Sequence, residues 1–260
     1  MRGLRSAPVD ALHVERDGPL LRVTLARPER RNAFDAALVA ELTAAFADIR
    51  DARAVVLAGE GESFCAGADA EWMRASVELS RDENVEEALQ LRRMLDTIDG
   101  CPAPVVCRVQ GHALGGGCGL LACCDVVVAS PGAVFAFSEV KLGLVPAVIS
   151  PFVLAKTGPS AARRYFVTGE RFDAEEARRI GLVHEVAGDL DAAVERIVGE
   201  ILTAGPKAAR VAKALARAPL SSEETARQIA ERRTSVEGQE GLCAFLEKRP
   251  PAWSGDPPAR

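Results

Sequence analysis

The sequence predicts an α/β fold from three observations. Strand-like and helix-like periods alternate through the first half of the chain, the connections between them are short, and from about Ser150 the pattern becomes nearly all helix. "LLRVTLARP" places Leu21, Val23 and Leu25 on one face and stops at Pro28, which is the pattern of a strand. "DAALVAELTAAFADI" then sets Leu38, Leu42, Phe46 and Ile49 at helical spacing behind Asp35 as a cap. The alternation repeats with the strand "AVVLAGEG", the helix "NVEEALQLRRMLDTID" with Leu91, Met94, Leu95 and Ile98 inward, and the strand "APVVCRVQG". After the glycines of "ALGGGCGLLACCD" come a short helix to Cys124, a buried strand "VVVAS" and a strand "AVFAFSE" that leads into "VKLGLVPAVISP". Gly and Pro punctuate the helical remainder, with no long linker and no fixed-period repeat. An architectural boundary is expected near residues 190 to 200, giving a core over 1–195 and a helical region over 196–260.

Composition narrows the function. The 260 residues are 48% hydrophobic and 27% charged, enough for one substantial core in an ordinary globular chain. A net charge of -5 argues against a nucleic-acid partner, which would call for a basic face. No apolar run is long enough to span a bilayer, and the first residues lack the apolar core of a secretory signal, so the expectation is a cytoplasmic protein without a membrane partner. The seven cysteines form no C-x-x-C pair, so neither a zinc site nor a disulfide framework is expected; Cys65 and Cys118 lie near the interesting loops and read as buried small hydrophobes.

The glycine triplet Gly115, Gly116 and Gly117 carries the chemical question. G-x-G-x-x-G fails because Leu120 holds the last position, and neither G-x-x-x-x-G-K-[ST] nor G-x-S-x-G occurs. Consecutive glycines at a helix start leave N–H groups free to hold an oxyanion, but they also suit a tight strand-to-helix turn packed on a sheet; the triplet alone leaves both readings open. A second small-residue loop follows a strand in "GESFCAGADAEWM", where Ala66, Gly67 and Ala68 precede an acidic residue and a short helix. Two such loops can each offer one N–H to the same carbonyl oxygen.

At this point the sequence resembles the enoyl-CoA hydratase and isomerase family, the crotonase superfamily. The resemblance runs from about residue 20 to 253 through "RPERRNAFD", "SFCAGAD", "GHALGGGCGLLACCDVVVAS", "FSEVKLGLVP", "TGERFDAEEARRIGLV" and "EGLCAFLEKR". It implies a crotonase-like spiral of repeated ββα units followed by a C-terminal helical oligomerisation region, assembled as a homotrimer or hexamer. It implies an oxyanion hole at the N–H groups of Ala68 and Gly116 for an acyl-CoA thioester, with Ala66, Asp69, Trp72 and Gly115 around the substrate. Arg27, Arg31 and Ala33, with Phe245 and Lys248 of a neighbouring subunit, match segments that bind the nucleotide end of coenzyme A. No cofactor beyond the substrate's own coenzyme A, and no metal, is implied.

The acid/base positions depart from the family's best-known pattern. Its first glutamate is replaced by Gly119, and the second survives as Glu139, the expected proton carrier. The segment "SEVKLGLVPAVISPFVLAKTG" with "ADAEWM" is most similar to the bacterial methylglutaconyl-CoA hydratase-like branch, which implies a hydratase-type lyase on a branched or carboxylated 2-enoyl-CoA. Gly119 would then leave room for a bulky acyl group. A one-base isomerase converting 3-enoyl-CoA to 2-enoyl-CoA is the alternative, and a non-catalytic acyl-CoA-binding protein a further one. Arg74 and Lys141 are the candidate partners of a distal carboxylate, Trp72 and Met73 the candidate acyl-pocket walls, and His112 a loop residue without a catalytic role.

Overall fold

The computed structural model describes residues 11–217 and 220–254. Strands β1 (Leu12–Asp17) and β2 (Leu20–Leu25) form an antiparallel hairpin, followed by helix α1 (Ala36–Ala47), where the Asp35 side chain accepts the Leu38 amide at 2.9 Å. Then come β3 (Ala54–Gly59), α2 (Ala70–Ser76), α3 (Arg81–Asp99), β4 (Val105–Val109), β5 (His112–Leu114), α4 (Gly116–Ala122), β6 (Val126–Ala129) and β7 (Val134–Ala136). The remainder comprises α5 (Ser150–Thr168), β8 (Phe172–Asp173), α6 (Ala174–Arg179), β9 (Glu185–Val186), α7 (Leu190–Thr203), α8 (Pro206–Leu215), α9 (Ser222–Thr234) and α10 (Val236–Glu247). The chain is thus an α/β spiral ending in helices.

A six-stranded sheet runs β1-β2-β3-β4-β6-β9, parallel from β2 onward, and a small second sheet runs β5-β7-β8. Alternate residues of the large sheet enter two cores. Val23, Leu25, Val55, Leu57, Val105, Cys107 and Val127 face the main core with α1, α3 and α4, while Leu20, Ala54, Val56, Val106 and Val128 pack beneath Leu190, Ala193, Val194 and Val198 of α7. Covering both faces explains why β3 and β4 read as nearly continuous apolar runs. Each fully buried Val or Leu there contributes roughly 1.5–3 kcal/mol.

Four strands lay outside the sequence expectation for physical reasons. β1 buries only Leu12 and has a polar, exposed pattern at the sheet edge, while β5, β8 and β9 are two or three residues long, too short for a period to show. The two segments read as successive helices after Ser150 are the two helical parts of α5, which meet at a kink where Gly158 has non-helical backbone (φ 69°, ψ 166°) just before Pro159. Residue 195 falls inside α7, which lies on the sheet.

Helix α8 straps the end of the sheet where the parallel strands begin. Arg53, just before β3, donates to the carbonyls of Leu202, Ala204 and Trp253; Arg210 donates to Ala52, and Lys213 pairs with Asp125 at 2.6 Å ahead of β6. The loops that leave β2, β3 and β4 therefore gather at the opposite, carboxyl end, where open parallel sheets place their ligands. Among the described residues no helix is long and apolar enough to cross a membrane.

Candidate active site

Three loops are laced together at that end. In the loop after β2, buried Asn32 donates to the carbonyls of Glu60 (2.9 Å) and Ser63 (2.8 Å) and accepts the Arg27 amide at 2.9 Å. The loop after β3 pairs in turn with the chain after β4, since the Phe64 and Cys65 amides donate to Gln110 and His112, and Leu114 donates back to Cys65. Phe34 then bridges Ala68: its amide donates to Gly67 at 2.8 Å and its carbonyl accepts from Asp69 at 2.7 Å. In such a parallel bridge the residue between the two bonded neighbours turns its own N–H away. The Ala68 N–H accordingly has no acceptor among the described residues.

The glycines supply the second donor. Gly115 has φ 50° and ψ -117°, a backbone that L side chains rarely adopt, and it turns β5 into α4 while its amide donates to Ala136 at 2.8 Å. Gly116 opens α4, so its N–H has no intrahelical acceptor and no other acceptor among the described residues. The two loops meet here: a Cβ placed on Gly67 would lie 3.9 Å from the Gly116 nitrogen. Ala68 and Gly116 both line a cleft of about 240 Å³.

Glu139 completes the cleft. It sits in a 3-10 turn, Ser138–Leu142, directly after β7, and its Oε1 lies 3.2 Å from where a Cβ on Gly115 would be. The missing side chain at Gly115 is the seat of this carboxylate. Its Oε2 is buried without a hydrogen-bond partner among the described residues, and burial raises the Glu139 pKa above the ordinary glutamate value. The surrounding wall is hydrocarbon from Phe34, Trp72, Met73, Leu91 and the 142–149 segment. A carboxyl that can take and return a proton therefore lines the same apolar cleft as two residues whose N–H groups have no acceptor among the described residues.

The other expected residues divide sharply. Ala66, Ala68, Trp72, Gly115, Gly116 and Glu139 line the cleft together, and the Trp72 indole donates to Glu87 at 3.0 Å. Gly119 does not: it is buried, and Ile149 fills the space its side chain would take, with the Ile149 Cβ 3.0 Å from that point. The expectation that Gly119 leaves room for substrate is corrected, because the core has already filled it. Asp69 is likewise absent from the wall; its carboxylate caps α2 through the Glu71 and Trp72 amides and pairs with Arg30 at 3.0 Å. Arg27 is spent on the Ala33 carbonyl and on Asp35 at 2.8 Å, and Ala33 is buried beside it.

Arg31 is exposed in left-handed backbone (φ 51°), and its carbonyl accepts the amide of the cleft residue Ala66. Arg74 and Lys141 are exposed and outside the lining, with Lys141 packed against Gly169. Phe245 and Lys248 lie at the end of α10 and do not line their own chain's cleft. His112 contacts Ser63 at 3.3 Å, away from the lining. Cys65 and Cys118 are fully buried; burial pushes the Cys65 thiol to about 12 and raises Cys118 as well, so neither is a nucleophile. Sequence reasoning missed Phe34, Leu91 and Ile149 as wall residues, since an apolar side chain beside a site carries no signal that separates it from core.

Comparison with known proteins gives a consistent result. The enoyl-CoA hydratase/isomerase family model matches residues 15–256. A putative enoyl-CoA hydratase from Thermus thermophilus is 34% identical over 245 residues, covering 90% of this chain and 97% of its own. A probable enoyl-CoA hydratase from Rhodobacter capsulatus is 37% identical, with 90% and 93% covered. Among solved structures, an enoyl-CoA hydratase from Shewanella pealeana superposes with a TM-score of 0.89 at 38% identity over 94% of this chain and 96% of its own. Pseudomonas aeruginosa AtuE has a TM-score of 0.89 at 36% identity, covering 94% and 99%.

Proposed function

The chain belongs to the enoyl-CoA hydratase/isomerase family, and from that premise we propose that it is a hydratase-type lyase that adds water to, or removes it from, a branched 2-enoyl-CoA. One observation carries the reading. The only carboxylate in the cleft wall among the described residues, Glu139, has a buried oxygen with no partner and shares the cleft with the free N–H groups of Ala68 and Gly116.

The chemistry follows from that placement. A thioester oxygen seated between the two N–H groups takes up the negative charge of an enolate, and each preorganised donor is worth roughly 3–4 kcal/mol in the transition state. In dehydration, ionised Glu139 removes the Cα proton of a 3-hydroxyacyl thioester, the enolate re-forms the carbonyl as the C3–oxygen bond breaks, and the same carboxyl returns the proton to the departing hydroxide as water. Hydration runs these steps backward. One carboxyl serves both transfers, so hydrogen and hydroxyl are added to one face of the double bond.

Neither Arg74 nor Lys141 lines the cleft, and no other Lys or Arg does among the described residues. A distal carboxylate would be desolvated there without a counter-charge, so the reading rests on a branched, uncharged acyl group. Isomerisation of a 3-enoyl-CoA is the second reading, favoured by the Ile149 side chain standing where a second carboxylate would project from position 119. We assign the terminal helices to contacts between copies in a homotrimer or hexamer. Val236, Phe245 and Leu246 are 91%, 79% and 76% exposed, and Phe245 with Lys248 would then meet the nucleotide end of a neighbour's coenzyme A.

The test is a panel of 3-methyl-2-enoyl, straight 2-enoyl, 3-enoyl and 3-methylglutaconyl thioesters in ¹⁸O-labelled water. Label at C3 of the branched product supports the hydratase; efficient conversion of 3-enoyl esters with no label in any product replaces it with the isomerase. Preference for the 3-methylglutaconyl ester would restore the carboxylated substrate. Sedimentation of the intact protein tests the assembly, and a monomer would refute it.

A further inference from the structure

Two glycines four residues apart leave notches at the start of α4: Gly115, its N-cap in non-helical backbone, and Gly119 within the helix, whose amide donates to the Gly115 carbonyl at 3.2 Å. The first notch holds the Glu139 carboxylate; the second holds the Ile149 side chain. Ile149 is 3% exposed, precedes α5 with its carbonyl accepting the Val153 amide at 3.1 Å, and is a wall of the cleft. Leu95 closes the far side of the second notch, its Cδ1 3.7 Å from the point where a Cβ on Gly119 would lie.

This arrangement gives Ile149 a defined stop. Backbone at Gly119 lies behind it, so the side chain is held at a fixed depth. A side chain at 119 would drive Ile149 into the cleft. A shorter side chain at 149 would open the cleft down to the bare backbone of α4.

We propose that Ile149, seated in the notch left by Gly119, is the specificity-determining wall at the acyl end of the cleft, and that it selects short acyl groups by blocking a longer chain at the second turn of α4. The proposal rests on the acyl-CoA reading of the cleft, and it makes the glycine part of substrate selection without contact between Gly119 and substrate. Shape selection of this kind is graded, because one methylene in an apolar pocket changes discrimination by about 10- to 200-fold.

The experiment measures binding of saturated butanoyl-, hexanoyl- and octanoyl-CoA, which needs no turnover, by calorimetry with the wild type and with Ile149→Ala, Ile149→Val and Gly119→Ala. Wild type is expected to favour the shortest ester. Ile149→Ala should move the octanoyl-to-butanoyl ratio of affinities by about 10-fold or more toward octanoyl. Ile149→Val should move it less in the same direction and guards against a variant that fails to fold. Gly119→Ala should weaken the longer esters first. For the enoyl esters that wild type turns over, kcat/KM should follow the same order. An unchanged length profile in a folded Ile149→Ala protein, or equal loss across all lengths, would overturn the proposal while leaving the acyl-CoA reading intact. Failure of wild type to bind any of the esters would sink both.

Discussion

The cleft and the arginine-bearing loop beside it are adjacent in space and equally suggestive in sequence, yet their polar groups end in opposite states. In the loop, Arg27 is bonded to Ala33 and Asp35, Arg30 to Asp69 and Glu71, and Asn32 to two carbonyls and an amide. In the cleft, the Ala68 and Gly116 N–H groups and one Glu139 oxygen have no partner among the described residues. Folding normally satisfies buried polar groups because leaving one unpaired costs about 1–3 kcal/mol. The lesson is that satisfied groups hold this site together and unsatisfied ones are left for a ligand.

Changing the two regions should therefore have different effects. The largest belongs to Glu139. Glu139→Gln keeps the shape and removes the base, so steady-state kinetics should show kcat reduced by roughly 100- to 10,000-fold with ester affinity largely retained. A kcat within a few-fold of wild type would erase the distinction between the regions. Gly116→Val comes next. Its Cβ would press the Phe34 ring at 2.7 Å and displace the free N–H, so kcat/KM should drop by roughly 100- to 1,000-fold in a protein whose circular dichroism still shows the fold.

The loop should respond in stability instead. Asp69→Ala removes the cap of α2 and one of the two carboxylates paired with Arg30, costing about 1–2 kcal/mol, or roughly 2–8 °C in Tm, while KM stays close to wild type. Burial opposes ionisation of Asp69, but hydrogen bonds from Arg30 and the Glu71 and Trp72 amides outweigh it and hold the carboxyl below its ordinary value. Its contribution is present above the unfolded-state pKa and is lost as pH falls through the lower folded value. Melts of wild type and variant should thus converge in strong acid; a constant gap down to about pH 2 would count against this pairing.

Glu139 has the opposite sign and the smallest effect. Its folded pKa is raised, so the stabilising protonated form is fully present below the unfolded value and is lost as pH rises through the folded one. Glu139→Gln should therefore raise Tm more at pH 8 than at pH 4, and the acid limb of wild-type kcat/KM should lie above the ordinary glutamate pKa. Equal gains at both pH values would sink the claim that this carboxylate is strained by burial.

Much of this was legible in the residues, but unevenly. Period and punctuation revealed α1, α3 and the central strands because each carries several residues of one face, and Asp35 caps α1 as its position suggests. The glycine triplet showed where backbone must come close. What sequence does not encode locally is commitment: nothing in "RPERRNAF" says that Arg27 will be used up by Asp35, and nothing in "GADAEW" says that Asp69 will face Arg30 rather than a substrate. Gly119 shows the same limit from the apolar side. Its missing side chain is visible in sequence, while the Ile149 that fills the gap lies thirty residues on and touches it only in the fold.

The central claim is that Glu139 moves the Cα proton of a thioester whose oxygen rests on the Ala68 and Gly116 amides. The most direct measurement is deuterium uptake at Cα of butanoyl-CoA in D₂O, followed by NMR, because it reports enolate formation whether water is later added or a double bond moved. Wild type should exchange the Cα proton, and Glu139→Gln should bind the same ester and exchange at least roughly 100-fold more slowly. Exchange by the Gln variant at the wild-type rate would contradict the account.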